Sequence, residues 1–380
     1  MKFLALILYL IQPFQDAQLA TIKTSLMTLR DQYDDHRATK GAAEDLTKIK
    51  HQLRDWVESR LATLPENVNT AVLTENLYNA VKFGHLFCSD RDDDCFENAL
   101  GYLDEIEVNK ENGFLIIKTA IGLFCSFDYS AYVYSWRGDK WQRVWENEQN
   151  TYTEKDYAPQ VIHSVHISAP DKNGNRLILT LGSRGGCIPA YIPLYYRAWQ
   201  VNSDFSTAKP VLDGKETALD GFPPVQGKVG PDDVLLAFTV GGIGYGSPHQ
   251  AVRHFEIREQ RAQQVDPVAA TPRDFVEEWI SGDWAQSGAR SAKPALRAQH
   301  MKVHRTDGMG DFPDPAVHCK TNPDLWQIGT HWHEGPKTYY LVRWTLPYKF
   351  TMMDIKDTAF PDCITPDPKG DKQPALFDQN

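Results

Sequence analysis

Apolar residues recur at alternating steps of three and four from Leu19 through Ile22, Leu26 and Leu29 to Tyr33, the spacing of one helical face. Leu46, Ile49, Leu53, Trp56, Val57 and Leu61 form a second stripe. Carried forward, the first phase lands on Lys40, Thr47 and Lys50, and Gly41 sits at the break. The pattern predicts a helical hairpin over 21–66 that ends at Pro65. A third short helix follows, with Thr74 as its cap and Leu77, Val81 and Phe83 on its apolar side.

From about residue 100 the period changes from 3.6 to 2. Runs of alternating apolar and polar residues end in turn chemistry. Asn112-Gly113 lies between Asp104–Lys110 and Phe114–Ala120, and Asn173-Gly174 between Val161–Ser168 and Arg176–Leu181. Asn-Gly between alternating runs is a strong hairpin signal, because the tightest turns need positive φ at both central residues. Arg137-Gly138-Asp139 joins two aromatic runs, Tyr132–Trp136 and Trp141–Trp145.

Stacked on one another, these runs show a weak internal repeat: an apolar strand, a glycine-containing loop, an aromatic strand and a closing strand. The copies are Phe114–Ile121, Tyr132–Trp136 and Trp141–Trp145; Leu177–Leu181, Leu194–Val201 and Ala208–Leu212; Val234–Val240, Ala251–Ile257 and Ala262–Val265; and Leu325–Thr330, Tyr339–Thr345 and Phe350–Ile355. A helix from Pro272 to about Arg290 interrupts the series before the fourth copy. Thr271 is its cap, and Phe275, Val276, Trp279 and Ile280 are its apolar face. The expected fold is mainly β: repeated antiparallel blade-like sheets, small and β-propeller-like, with an N-terminal helical hairpin and an inserted helix. The alternative is a β domain followed by a small α+β domain. The segments are 1–20, 21–66, 70–268, 269–363 and a polar tail over 364–380.

The chain has 380 residues, 42% of them hydrophobic, which suffices for an ordinary core. Met1-Lys2, the apolar run Phe3–Ile11 and the small residues Ala17 and Ala20 follow the order of a secretory signal peptide over 1–20. Export to a periplasmic or extracellular space is therefore expected, with no integral membrane segment after signal removal. The formal net charge of -10, with no basic stripe, argues against nucleic acid as a partner. Six cysteines in an exported chain suggest disulfides. Cys88 with Cys95 would close a short acidic loop, and Cys319 with Cys363 would clip down the C-terminal segment; Cys125 and Cys187 occupy similar places in two repeats.

Candidate chemistry is sparse. His331 and His333 share one strand face, with Trp332 opposite, and could ligate a metal. The bland account is a hairpin tip with two solvated histidines. His163 and His166, three apart on a strand, are expected on opposite faces, so they could share an ion only across a bulge. Asp90, Asp92 and Asp94 begin like a calcium loop, but Cys95 and Gly101 stand where that loop needs Gly and Glu. Gly241–Gly246 and Gly182–Gly186 occupy equivalent places in their repeats. They would put Arg184, Gly185, Gly242, Gly244, Tyr245 and His249 on one rim, where ligands often bind. Tight structural turns explain the same glycines. Neither Gly-x-Ser-x-Gly nor His-Glu-x-x-His occurs. Two functional expectations follow: a noncatalytic binding or interaction scaffold, or a hydrolase or metal-dependent enzyme using Arg184, His249, His331 and His333 at the rim. No motif names a cofactor or a particular protein or small-molecule partner.

Overall fold

The computed structural model describes residues 12–34, 37–38, 41–87, 101–123, 126–150, 152, 160–184, 191–219, 225–240, 249–281, 289–303, 314–332, 337–345 and 349–366. Two compact units divide the chain, one of residues 1–189 and 194–210, the other of residues 190–193 and 211–380.

The first unit opens with helix α1 (Gln12–Asp31), a small ladder of β1 (Tyr33–Asp34) and β2 (Arg37–Ala38), and helix α2 (Ala42–Leu61). Gly41 precedes α2 with φ of 112°, a left-handed conformation that favours glycine, so the break in phase is the turn of the hairpin. Both apolar stripes are buried: Leu19, Ile22, Leu26 and Leu29 on α1, and Leu46, Ile49, Leu53, Trp56, Val57 and Leu61 on α2. Each large aliphatic side chain buried in this way stabilises the fold by about 1.5–3 kcal/mol. Helix α3 runs over Thr70–Phe83 and begins four residues before the expected cap. Asn69, not Thr74, is its N-cap, with its side chain accepting from the Val72 N–H at 3.2 Å. Leu77 and Val81 are buried as expected, but Phe83 is 83% exposed; Leu73, one turn before Leu77, takes the core position instead.

Among the described residues the remaining strands form antiparallel sheet in four meanders of four, each an expected three-strand copy with one strand added. The first holds β3 (Leu103–Glu111), β4 (Phe114–Leu123), β5 (Ser126–Arg137) and β6 (Lys140–Asn147) in sequence order. Asn112 and Gly113 have φ of 49° and 87°, and Gly138 and Asp139 have 54° and 64°, so both turns take the twist that two-residue hairpins require. The second meander begins with β7 (Gln160–Ile167), β8 (Arg176–Arg184) and β9 (Tyr191–Val201), and β10 (Ala208–Leu219) follows. Its first turn differs from the expectation. Gly174 alone is left-handed, at 82°, while the Asp171 carboxylate accepts from the backbone N–H groups of Asn173 and Asn175. One face of the first meander packs on the helices. Its other face, with Phe114, Ile116, Ala131, Val133 and Trp145, packs on Ile162, Val165, Ile167 and Ile178 of the second.

The second unit holds β11 (Gln226–Val229), β12 (Asp233–Val240), β13 (His249–Arg258) and β14 (Arg261–Val265), then helices α4 (Pro272–Ser281) and α5 (Ala295–Val303). The last meander is β15 (Val317–Cys319), β16 (Leu325–Thr330), β17 (Thr338–Thr345) and β18 (Lys349–Lys356). Thr271 caps α4 as expected: its Oγ1 accepts from the Asp274 N–H at 3.1 Å and donates to the Asp274 carboxylate at 2.7 Å. The helix ends at Ser281, nine residues short of the expected Arg290, and Gly282 lies outside the described residues. Phe275, Val276 and Trp279 bury against Ile328, Tyr340, Val342, Phe350 and Met352. Strand β19 (Cys363–Pro366) pairs with β15, and a disulfide joins Cys319 to Cys363, so the first residues of the expected tail are sheet. Cys88, Cys95, Cys125 and Cys187 lie outside the described residues.

Candidate functional site

Register shifts interrupt β3, β6 and β7 in the first unit, and those in β3 and β7 bear on the site. In β3 the register shifts between Leu103 and Glu105, so Asp104 is the extra residue. In β7 it shifts between Ile162 and Ser164, so His163 is the extra residue. A bulge leaves one residue unpaired and re-aims its side chain. Simple alternation puts His163 and His166 on opposite faces. The bulge overturns that expectation and turns both outward, while Ile162, Val165 and Ile167 stay in the core. Gly182 makes the bulge possible. A Cβ there would lie 2.3 Å from the Val161 carbonyl oxygen, closer than any side chain can approach.

Between these strands runs a groove of about 290 Å³. Glu107, Asn109, Lys110 and Glu111 from β3 form one wall, and His163, Ser164 and His166 from β7 the other. Ile116 and Val165, 4% and 8% exposed, form an aliphatic floor. Lys118 of β4 stands at one end. Its ammonium lies 3.2 Å from Glu105 Oε1 and 3.0 Å from Glu107 Oε2, and it donates to the His163 carbonyl at 3.2 Å. The ring of Tyr129 is 5.5 Å away, within cation–π range. At the other end His166 Nε2 is 3.1 Å from Ser164 Oγ, and its Nδ1 is 3.6 Å from Glu111. His163 Nε2 is 3.0 Å from Ser183 Oγ.

The environment separates these titrating groups. Burial raises Glu105 above the usual carboxylate range, against the pull of Lys118. Burial acts on Glu107 in the same sense, but hydrogen bonds from Lys118 and Asn109 outweigh it and leave that group lowered. Burial alone raises Asp104. His163 keeps part of its ring open to solvent. The protein packed around the rest, and the charge of Lys118, hold it below the ordinary histidine value.

The residues singled out from the sequence are elsewhere. Gly185, Gly242, Gly244 and Tyr245 lie outside the described residues, as does His333. Arg184 ends β8, paired in register with Gln160. His249 is buried, not presented at a rim: its Nε2 lies 2.9 Å from Glu278 Oε1. Glu278 also accepts from Arg253 at 2.7 Å, and Arg253 pairs with Glu216 at 2.8 Å. Burial works to raise Glu278, but Arg253 and His249 overcome it and leave the carboxyl lowered. These ion pairs tie α4 to β13. His331 is half exposed and lies 3.4 Å from Asp314, which also pairs with Lys337. Trp332 beside it is buried. Among the described residues, no three His, Cys, Asp or Glu side chains are grouped so as to hold a metal ion. No described helix is long and apolar enough to cross a membrane.

A second polar cluster seats the helical hairpin on the first meander. Lys50, 1% exposed, lies 3.2 Å from Asp128 and donates to Tyr152 and to the Gln149 carbonyl. Burial lowers Lys50 and raises Asp128. Beside them the buried Glu148 accepts from Arg54 and Tyr132. The ammonium is fully enclosed, so this cluster is a fastening between helix and sheet.

No protein-family model and no curated protein matches the chain. Among solved structures the chain is similar to a thermostable family-43 glycoside hydrolase, with a TM-score of 0.24 and 9% identity over 70% of this chain and 78% of that one.

Proposed function

We propose that this protein is an exported, noncatalytic binding protein that takes a small ligand in the groove between β3 and β7. The observation that carries the reading is the bulge at His163, which gives up regular strand pairing and adds a polar side chain beside an aliphatic-floored cleft. Lys118, Glu107 and Asn109 hold one another, which pre-orders that wall before a ligand arrives. Two observations support export: the apolar run Phe3–Ile11 behind Lys2, and the Cys319–Cys363 disulfide, a bond that persists in oxidising compartments. Leu19 is buried in the helical core, so this reading places signal cleavage on its N-terminal side.

Two measurements test the reading. Intact mass of the protein recovered outside the cytoplasm should give a chain that still contains Leu19; full-length protein confined to the cytosol would refute export. A small-fragment screen read on the methyl resonances of Ile116 and Val165 should find saturable binders. Binders that move only residues remote from the groove would refute the site.

A further inference from the structure

Resting on the groove reading, we infer that the ligand is an alkylammonium: a protonated amine carried on an aliphatic chain. Three features of the groove lead there. The first is charge. Glu107 and Glu111 line it, Glu105 stands beyond its Lys118 end, and the lysines in its lining are Lys110 and Lys118. The Lys110 ammonium is engaged elsewhere, donating to the Glu66 carbonyl at 3.2 Å and standing 5.7 Å from the Trp141 ring. His163 is shifted toward its neutral form. The local field is therefore negative and attracts a cation.

The second feature is chemistry already present in the wall. Lys118 is itself an alkylammonium, and its three N–H donors meet Glu105, Glu107 and the His163 carbonyl, with the Tyr129 face behind. The same strand repeats the arrangement one step along. Glu107, Asn109 and Glu111 project from alternate positions, about 7 Å apart along β3. Among the described residues Glu111 has only the 3.6 Å contact with His166, beyond hydrogen-bond reach, so its carboxylate retains capacity for a charged donor.

The third feature is the floor. Ile116 and Val165 lie between the acidic positions, so an alkyl chain on them leaves its ammonium at Glu111. A carboxylate ligand would meet the like charges of Glu107 and Glu111, and a polyhydroxy ligand would set hydroxyl groups on an aliphatic floor.

The test uses the full chain labelled at isoleucine and valine methyls and three matched probes: n-butylammonium chloride, n-butanol and sodium n-butyrate. Butylammonium should shift the Ile116 and Val165 methyls saturably. Butanol should bind about tenfold or more weakly, since a hydrogen bond to a charged group is worth about 1.5–3 kcal/mol. Butyrate should leave both methyls unmoved. Glu111→Gln, a half-exposed change that leaves the core intact, should weaken butylammonium about tenfold, and Glu111→Asp should retain part of that affinity. Butyrate binding at the groove, or butanol binding there as tightly as butylammonium, would overturn the ligand class and leave the groove standing. An unchanged affinity in Glu111→Gln would overturn the role of that carboxylate. If none of the probes moves either methyl, the groove reading falls and this inference with it.

Discussion

Replacing Gly182 with alanine would test the device that shapes the groove. The added Cβ would lie 2.3 Å from the Val161 carbonyl oxygen, and ordinary contact begins at 3.4 Å. The β7 backbone would have to retreat by roughly 1 Å at the bulge, a shift of the kind that overpacking forces on a well-packed site. Overpacking costs about 1–3 kcal/mol, and the stiffer unfolded chain of alanine offsets about 0.4–1 kcal/mol of that. A net loss of about 1–2 kcal/mol follows, read as a lower urea midpoint for tryptophan fluorescence. The ring resonances of His163 and His166 should move in the same variant, because the retreat re-aims the bulged residue. Gly182→Ala with a wild-type midpoint and unmoved histidine resonances would refute the argument that this glycine builds the bulge.

Lys50→Met strands the enclosed Asp128 carboxylate and should cost about 3–5 kcal/mol, while Lys50→Met with Asp128→Leu should recover most of the loss; a double-mutant cycle in urea decides it. Cys319→Ser should cost about 4 kcal/mol by the chain-entropy account for a bond spanning 44 residues, read as a lower urea midpoint than that of the oxidised wild type. His254 hydrogen-bonds Asp233 at 3.2 Å and the Asp266 carbonyl at 2.8 Å, and the Asp233 bond chiefly raises its folded pKa. Its contribution is fully present below the unfolded histidine value of about 6.5 and fades as pH rises through the raised folded value. Stability measured against pH should therefore decline across that window, and His254→Gln should remove that part of the slope.

Much of the fold was legible because its signals are local. Every strand of the four three-strand copies matches an observed strand, since alternation and turn residues act over a few positions. The strands that escaped, Gln226–Val229, Val317–Cys319, Tyr33–Asp34, Arg37–Ala38 and Cys363–Pro366, are short. The first alternates only between exposed and half-buried positions, so no apolar period marks it, and pairing with β12 defines it. Phe83 was misplaced because helical spacing alone does not say which side of a short helix the sheet covers. The groove escaped for a sharper reason. A strict period of two assumes unbroken register, and one extra residue at His163 or Asp104 inverts every inference about which side chains share a face. The sequence does hold a trace of it: Gly182 is a lone glycine inside a strand, a recognised mark of a bulge or a close backbone approach. His249 was read with its glycine-rich neighbours toward a rim, whereas its actual partner, Glu278, lies 29 positions away on a different element.

The central claim is that ligand recognition belongs to the groove between β3 and β7, not to the glycine-loop rim or the His331 hairpin. Assigned histidine ring spectra, recorded while a fragment found by screening is titrated to saturation, address it directly. The account predicts that His163 and His166 move together along one binding curve while His249, buried on Glu278, and His331, paired with Asp314, stay in place. Movement of His249 or His331 with His163 and His166 unmoved would contradict it.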